Sequence, residues 1–170
     1  MYGDSLARGW HSRQHYKVEA YGGAKPQKLI NAVIYGKLEE DFKAAKHLII
    51  LLGTNLLEEE TNAKVINEIL LAAQVVKTAY RQLTIHVGTL LPRVGVYEIL
   101  QNAKIPIINQ LLKKKAKKFG INICDINKAL TKGGLPKGRE NWNNGGLHLT
   151  KIGNTKCTHY LIEYTKKLQL

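Results

Sequence analysis

The sequence predicts an α/β fold, a three-layer α/β/α sandwich around a mostly parallel central sheet. Three observations predict it. Segments of strand length alternate with longer segments of helical period. The strand-length run His47-Leu48-Ile49-Ile50-Leu51-Leu52 is continuously apolar, which suits a strand covered on both faces. The strands stop at breaker residues, Gly22-Gly23, Gly53 and Pro92.

The elements follow in order. Residues Lys17 to Tyr21 read as a short strand. Pro26 to Ile34 read as a helix with Leu29, Ile30 and Val33 on one face. After the apolar strand His47 to Leu52 comes a long amphipathic helix, Thr61 to Gln82. Val65, Ile69, Ala72, Val76 and Ala79 recur there at helical spacing. Leu83 to Leu90 is the next strand. Pro106, whose missing N–H costs little in a first turn, is expected to start another helix. That helix directs Ile108, Leu111, Leu112, Ala116 and Phe119 inward and stops at Gly120. Ile121 to Ile126 is a strand, and Thr131 to Gly145 a loop. Thr150 caps a final helix whose buried side carries Cys157, Tyr160 or Leu161, Tyr164 and Leu168.

A chain of 170 residues with 44% hydrophobic and 23% charged residues reads as one globular domain. A strand normally precedes a site such as Gly3-Asp4-Ser5, and only Met1 and Tyr2 stand there. The expectation is a domain excised from a longer chain or lacking its first strand. No apolar run approaches the roughly 18 residues that span a bilayer, and Met1-Tyr2 does not open a signal peptide. Cys124 and Cys157 read as buried free thiols, which points to a reducing compartment and an intracellular, cytoplasmic location.

The charge balance is lopsided. Twenty-six Lys and Arg stand against 13 Asp and Glu, a net charge of +13. Such an excess implies an anionic neighbour: nucleic acid, an anionic membrane, or an acidic domain of a longer chain. Lys113, Lys114, Lys117 and Lys118 form the densest basic patch and are the candidate anion-binding residues. Read alone, such a run is a solvated helix face. Aromatic residues are sparse around it, so base stacking is not suggested.

Four short strings carry the chemistry. Gly3-Asp4-Ser5-Leu6 offers a serine nucleophile just past a strand. Gly22-Gly23-Ala24 offers a backbone N–H with no side chain in the way. Gly53-Thr54-Asn55 offers a side-chain amide after the most buried strand. Gly146-Leu147-His148-Leu149-Thr150 offers a histidine base beside a rigid helix. Ser5, Gly23 and Asn55 together can donate to an oxyanion. Each string alone has a plainer reading: Ser5 with Asp4 as a helix cap, Gly53 to Asn55 as a turn, His148 as a surface residue. The order of all four is what weighs. The other histidines show no metal spacing, and neither metal nor cofactor is expected.

In these strings the chain resembles the SGNH (GDSL-type) hydrolase superfamily of lipases, acetylesterases and carbohydrate esterases, over essentially its whole length. The resemblance implies a small acyl-ester substrate, Ser5 and His148 as catalytic residues, and Ser5, Gly23 and Asn55 as the oxyanion hole. Two departures stand out. Asp often follows the Asn of the third block, and here it is Leu56. The triad acid should lie three residues before His148, and that residue is Gly145. A backbone carbonyl, Asn144, Asp125 or Glu140 is then left to orient the imidazole. Within the superfamily, Leu90-Leu91-Pro92-Arg93, the Gly-Leu-His-Leu-Thr block and the basic surplus resemble the esterase domain of a LINE-type retrotransposon first open-reading-frame protein. That likeness implies other domains in a longer, RNA-binding, self-associating chain. The alternative is a catalytically weak SGNH-fold module that binds nucleic acid or anionic membrane.

Overall fold

The computed structural model describes residues 1–10, 16–95 and 98–168. Five strands form one all-parallel sheet: β1 (Tyr2–Gly3), β2 (Glu19–Ala20), β3 (His47–Leu51), β4 (Thr84–Gly88) and β5 (Asn122–Cys124). Their spatial order is β2-β1-β3-β4-β5. Among the described residues five α-helices accompany them: α1 (Pro26–Ile34), α2 (Glu39–Ala44), α3 (Asn62–Ala79), α4 (Glu98–Lys118) and α5 (Lys151–Leu168). Two-residue strands β6 (Thr131–Lys132) and β7 (Leu135–Pro136) make a separate antiparallel hairpin inside the predicted loop. The fold class is the one the alternation predicts.

β3 shows why the sheet is buried on both sides. Leu48, Ile50 and Leu52 point into one cluster, with Leu29 and Ile30 of α1, Ile66, Ile69 and Val76 of α3, and Ile108 and Leu112 of α4. Ile49 and Leu51 point into the other, with Trp10, Trp142, Cys124, and Cys157 and Leu161 of α5. The two-residue period of a strand sorts a continuous apolar run onto two faces. Both cysteines are free and buried, and burial pushes their thiols up to about 12. Among the described residues no helix is long and apolar enough to cross a membrane.

Several boundaries differ from the sequence reading. α1 has its predicted ends, with Pro26 in its first turn. α3 begins at Asn62 because the Thr61 side chain caps it, accepting from the Lys64 N–H. Tyr2 and Gly3 supply a central strand, pairing with β2 on one side and β3 on the other. Pro106 does not start α4 but sits well inside it. The turns before it are held by tertiary bonds that outweigh the lost backbone donor. Gln101 bonds Glu58, Asn102 bonds the Arg93 backbone, and Lys104 bonds the Leu57 and Glu60 carbonyls. The inward face of α4 is accordingly Ile105, Ile108, Leu112 and Ala116, while Leu111 and Phe119 are exposed. On α5 the predicted face holds: Cys157 and Leu161 are buried, and Tyr160 and Tyr164 pack against them. Thr150 caps this helix, accepting from the Gly153 N–H.

Candidate active site

The order β2-β1-β3 makes the β1/β3 junction a point where consecutive connections leave in opposite directions. In open parallel sheets such switch points are where ligands bind, beyond the strand ends. Ser5 stands there, directly after β1, at the start of a 3₁₀ helix (Ser5–Gly9). Asp4 caps that helix: its Oδ1 accepts from the Leu6 N–H at 3.0 Å, and its own N–H donates to the Leu51 carbonyl at 3.1 Å. The nucleophile turn is thus tied to the end of β3.

The second and third strings meet directly. Asn55 sits in a 3₁₀ turn (Thr54–Leu56) after β3, and its Nδ2 donates to the Ala24 carbonyl at 3.0 Å. One N–H of that amide holds the Gly23-Ala24 loop, which leaves the other. Gly23 has a φ of +64°, with open space around its Cα. Among the described residues the Ser5 and Gly23 backbone N–H groups donate to nothing. Uncommitted donors at a strand edge are what an oxyanion hole requires.

Asp4 is the hub beneath these loops. It is fully buried. Burial pushes its carboxyl up from 3.8 to about 6, against the opposing pull of the Leu6 N–H, the Arg93 guanidinium and the Thr54 hydroxyl. Arg93 is also fully buried, and it reaches the fourth string. Its Nη1 donates to the Leu147 carbonyl at 2.6 Å, one residue before His148. The His148 loop is fastened to the β4–α4 loop twice more. Trp142 Nε1 donates to the Pro92 carbonyl at 3.2 Å, and the Val94 N–H donates to the Gly146 carbonyl at 3.2 Å. Gly146 permits this approach: a Cβ there would stand 1.9 Å from the Val94 carbonyl oxygen.

Arg93 is in turn held by α4. The Asn102 amide takes the Arg93 N–H at 2.8 Å and donates to the Arg93 carbonyl at 2.6 Å. Two helical turns on, Asn109 does the same to Leu90, at 2.8 and 2.9 Å. The sequence reading missed Arg93, Asn102 and Asn109. The signal was two asparagines seven residues apart, on the face that also carries Ile105 and Leu112. Polar residues at core spacing imply a buried bonding role.

The candidate orienting groups are not brought to His148. The Asp125 carboxylate, at the end of β5, is taken by Lys113 at 2.8 Å, Lys128 at 3.4 Å and the Thr89 hydroxyl at 3.2 Å. Burial raises its pKa, but the Lys113 bond and charge hold it below the ordinary carboxylate range. Glu140 pairs with Lys156, and Asn144 contributes only its backbone carbonyl, to Arg139. Among the described residues no hydrogen bond reaches the exposed His148 ring, whose backbone carbonyl accepts from the Asn143 N–H at 2.9 Å. The lysines of the candidate anion-binding set differ in their surroundings. Lys113 is committed to Asp125, whereas Lys114, Lys117 and Lys118 are exposed and make no ion pair among the described residues.

A cavity of about 540 Å³, lined in part by Met1, His47, Phe42 and Leu161, lies by the start of β3 and includes none of the four site residues. Among the described residues no cluster of three or more His, Cys, Asp or Glu side chains could hold a metal ion.

The fold and this edge define a three-layer α/β domain with a serine, a glycine, an asparagine and a histidine on four connected loops. Solved structures of similar shape are GDSL-type lipolytic proteins and esterases. A putative platelet activating factor from Streptococcus pneumonia superposes with a TM-score of 0.77 at 20% identity, over 96% of this chain and 81% of that one. A GDSL-like lipase from Bacteroides thetaiotaomicron gives 0.75 at 16%, over 98% and 86%. An aryl esterase from M. smegmatis gives 0.70 at 14%, over 98% and 97%. At these identities the likeness is one of fold. No protein-family model matches the sequence, and no curated protein matches it.

Proposed function

We propose that the chain is a serine esterase acting on short acyl esters, with acetyl or lipid acyl groups. The observation that carries the reading is the convergence of four loops with unspent donors. Asn55 bonds Ala24, Asp4 lies against Thr54 and Arg93, and Arg93 holds Leu147. In the reaction, Ser5 Oγ attacks the ester carbonyl carbon and its proton passes to His148. The carbonyl oxygen becomes an oxyanion opposite the Ser5 and Gly23 N–H groups and the second N–H of Asn55. His148 then protonates the leaving alcohol, and water hydrolyses the acyl-serine by the same path in reverse. Each donor is worth on the order of 10²–10³ in rate. The same reading places the domain in a retrotransposon RNA-binding protein. Its support is the Leu90 to Arg93 segment, the Gly146 to Thr150 string and the net charge of +13.

The test is hydrolysis of p-nitrophenyl acetate together with labelling by a fluorophosphonate probe. Ser5→Ala should abolish both. Equal labelling of wild type and Ser5→Ala would overturn the assignment. Lys114, Lys117 and Lys118, which make no ion pair among the described residues, and the His148 ring, which accepts or donates no hydrogen bond among them, favour a second reading, a weak enzyme that serves as an anion-binding module.

A further inference from the structure

We propose that Arg8 forms an oxyanion-recognition subsite beside Ser5, so that the preferred ester carries a carboxylate or phosphate close to its scissile bond. The inference rests on the serine esterase reading and adds a substrate class to it. Ser5 and Arg8 belong to the same 3₁₀ helix. That helix has three residues per turn, so side chains three apart eclipse, and Ser5 and Arg8 leave it on one side. The Arg8 guanidinium lies directly over Gly22: a Cβ there would be 2.2 Å from Nη2 and 2.9 Å from Cζ. It therefore sits next to Gly23, whose N–H is a candidate oxyanion donor.

Arg8 has the features of a group kept for a ligand. It is exposed, and among the described residues it makes no hydrogen bond or ion pair. Many of the surface lysines, by contrast, are paired: Lys17, Lys25, Lys43, Lys64, Lys113 and Lys156 each hold a carboxylate. Glu19, the acid of the neighbouring strand β2, is already taken by Lys17 and the Tyr21 hydroxyl. Gly22 keeps the guanidinium in place by leaving room for it, and any larger residue would displace it toward solvent. A planar fork of N–H donors matches the two oxygens of a carboxylate or phosphate, and a neutral ester offers it nothing equivalent.

The anion can reside on the acid or on the alcohol part of the ester, and two arms separate these. In the first, mono(p-nitrophenyl) succinate is compared with p-nitrophenyl butyrate. In the second, m-acetoxybenzoate is compared with m-acetoxybenzamide. The reading is the ratio of kcat/KM, anionic over neutral, in wild type, Arg8→Gln and Arg8→Lys. Arg8→Gln should lower that ratio about tenfold or more in one arm, the scale of one charge-assisted hydrogen bond. Arg8→Lys should restore part of it. A ratio unmoved by Arg8→Gln in both arms overturns the subsite. Binding of the amide isosteres, N-(p-nitrophenyl)succinamic acid and m-acetamidobenzoate, is measured in parallel. Arg8-dependent binding without turnover of any ester would overturn the esterase reading and uphold the subsite. Neither turnover nor Arg8-dependent binding would overturn both.

Discussion

The Asp4–Arg93 cluster is fully buried and the His47–His86–Tyr164 chain is buried only at His86, and the first joins loops whereas the second joins regular elements. Asp4 and Arg93 carry opposite charges, and their bonds run to backbone groups of segments that have no ladder to hold them. In the His86 chain the buried imidazole is neutral, and both its ring nitrogens are bonded. Tyr164 Oη donates to the Ile123 carbonyl at 3.2 Å, so it accepts from His86 Nδ1–H at 2.8 Å. His86 Nε2 is then bare and accepts from His47 Nδ1–H at 3.1 Å. One donor at the end of the chain fixes every tautomer in it. This chain docks α5 on β3, β4 and β5, where regular structure already holds the backbone. The Asp4–Arg93 cluster replaces regular structure at the edge that carries the site. Charge is buried where loops must be positioned, and neutral polar groups where elements must be aligned.

Breaking the charged cluster should have the larger effect. Arg93→Met leaves a buried carboxylate without its cation and the Leu147 carbonyl without its donor. A loss of about 3–5 kcal/mol is expected at neutral pH, read from the urea midpoint. Hydrolysis should fall further than the unfolded fraction explains, because the His148 loop is released. Adding Asp4→Asn should recover part of the stability, since both substitutions act on the same pairing. A loss under about 1 kcal/mol for Arg93→Met would show that the pair does not hold these loops.

The two clusters should also titrate in opposite senses. Burial pushes the Asp4 carboxyl up from 3.8 to about 6. Folded Asp4 therefore keeps a proton that the unfolded chain has released, and its contribution to stability falls as pH rises through that window. Burial, with the His47 charge, lowers His86 from 6.5 to about 4. Here the unfolded chain takes up a proton first, so stability falls as pH drops from 6.5 to about 4. Each contribution is on the order of 3 kcal/mol, and the two oppose one another. Relative to wild type, Asp4→Asn should lose more stability on acidification from pH 6 to 4, and His86→Phe should lose less. Unfolding curves that run parallel to wild type across that range would refute the contrast.

Much of this contrast lay outside the reach of the sequence. The four site strings were legible because three of them follow a strand end and the fourth stands just before a helix, with residue types that have few other uses there. α1 was legible because Pro26 and the apolar period agree. Arg93 was not, because its partner is the Leu147 carbonyl, a group that every residue has. The α4 start was misplaced because a preference for proline in first turns competes with bonds made by Gln101, Asn102 and Lys104, which only the folded chain shows. The spacing of His86 suggested no metal role and no partner; the structure gives it partners on β3 and α5 that sequence cannot pair. His11 and His15 lie outside the described residues.

A smaller effect should follow from placing an acid three residues before His148. The φ of Gly145 lies outside the left-handed region, and a Cβ there would meet only Asn143 Oδ1, at an ordinary 3.6 Å. Gly145→Asp should therefore fold. A carboxylate at the imidazole would raise kcat about tenfold and move the pH–rate limb upward, because it stabilises the cation. An unchanged kcat and limb would mean that an aspartate at this position does not engage the ring.

The smallest effect on fold and catalysis should come from the basic face of α4, and it separates that face from both clusters. Lys114, Lys117 and Lys118 are exposed and unpaired among the described residues, so changing them to Gln should shift stability by less than about 0.5 kcal/mol. Ester hydrolysis should not change, since the proposed catalytic groups, Ser5 and His148, lie on loops outside α4. Binding to an RNA single strand should respond instead. Removing one lysine that neutralises a phosphate flattens the slope of log affinity against log salt by about 0.7, so removing all three flattens it by about 2. Lys113 makes the internal comparison. Its ammonium is held 2.8 Å from Asp125. Lys113→Gln should flatten the slope less than Lys117→Gln does, and should cost stability where Lys117→Gln does not. If the two behave alike toward RNA, the ion pair with Asp125 opens on binding and Lys113 rejoins the face. If wild type shows no salt-dependent binding at all, the net charge of +13 serves a partner other than RNA.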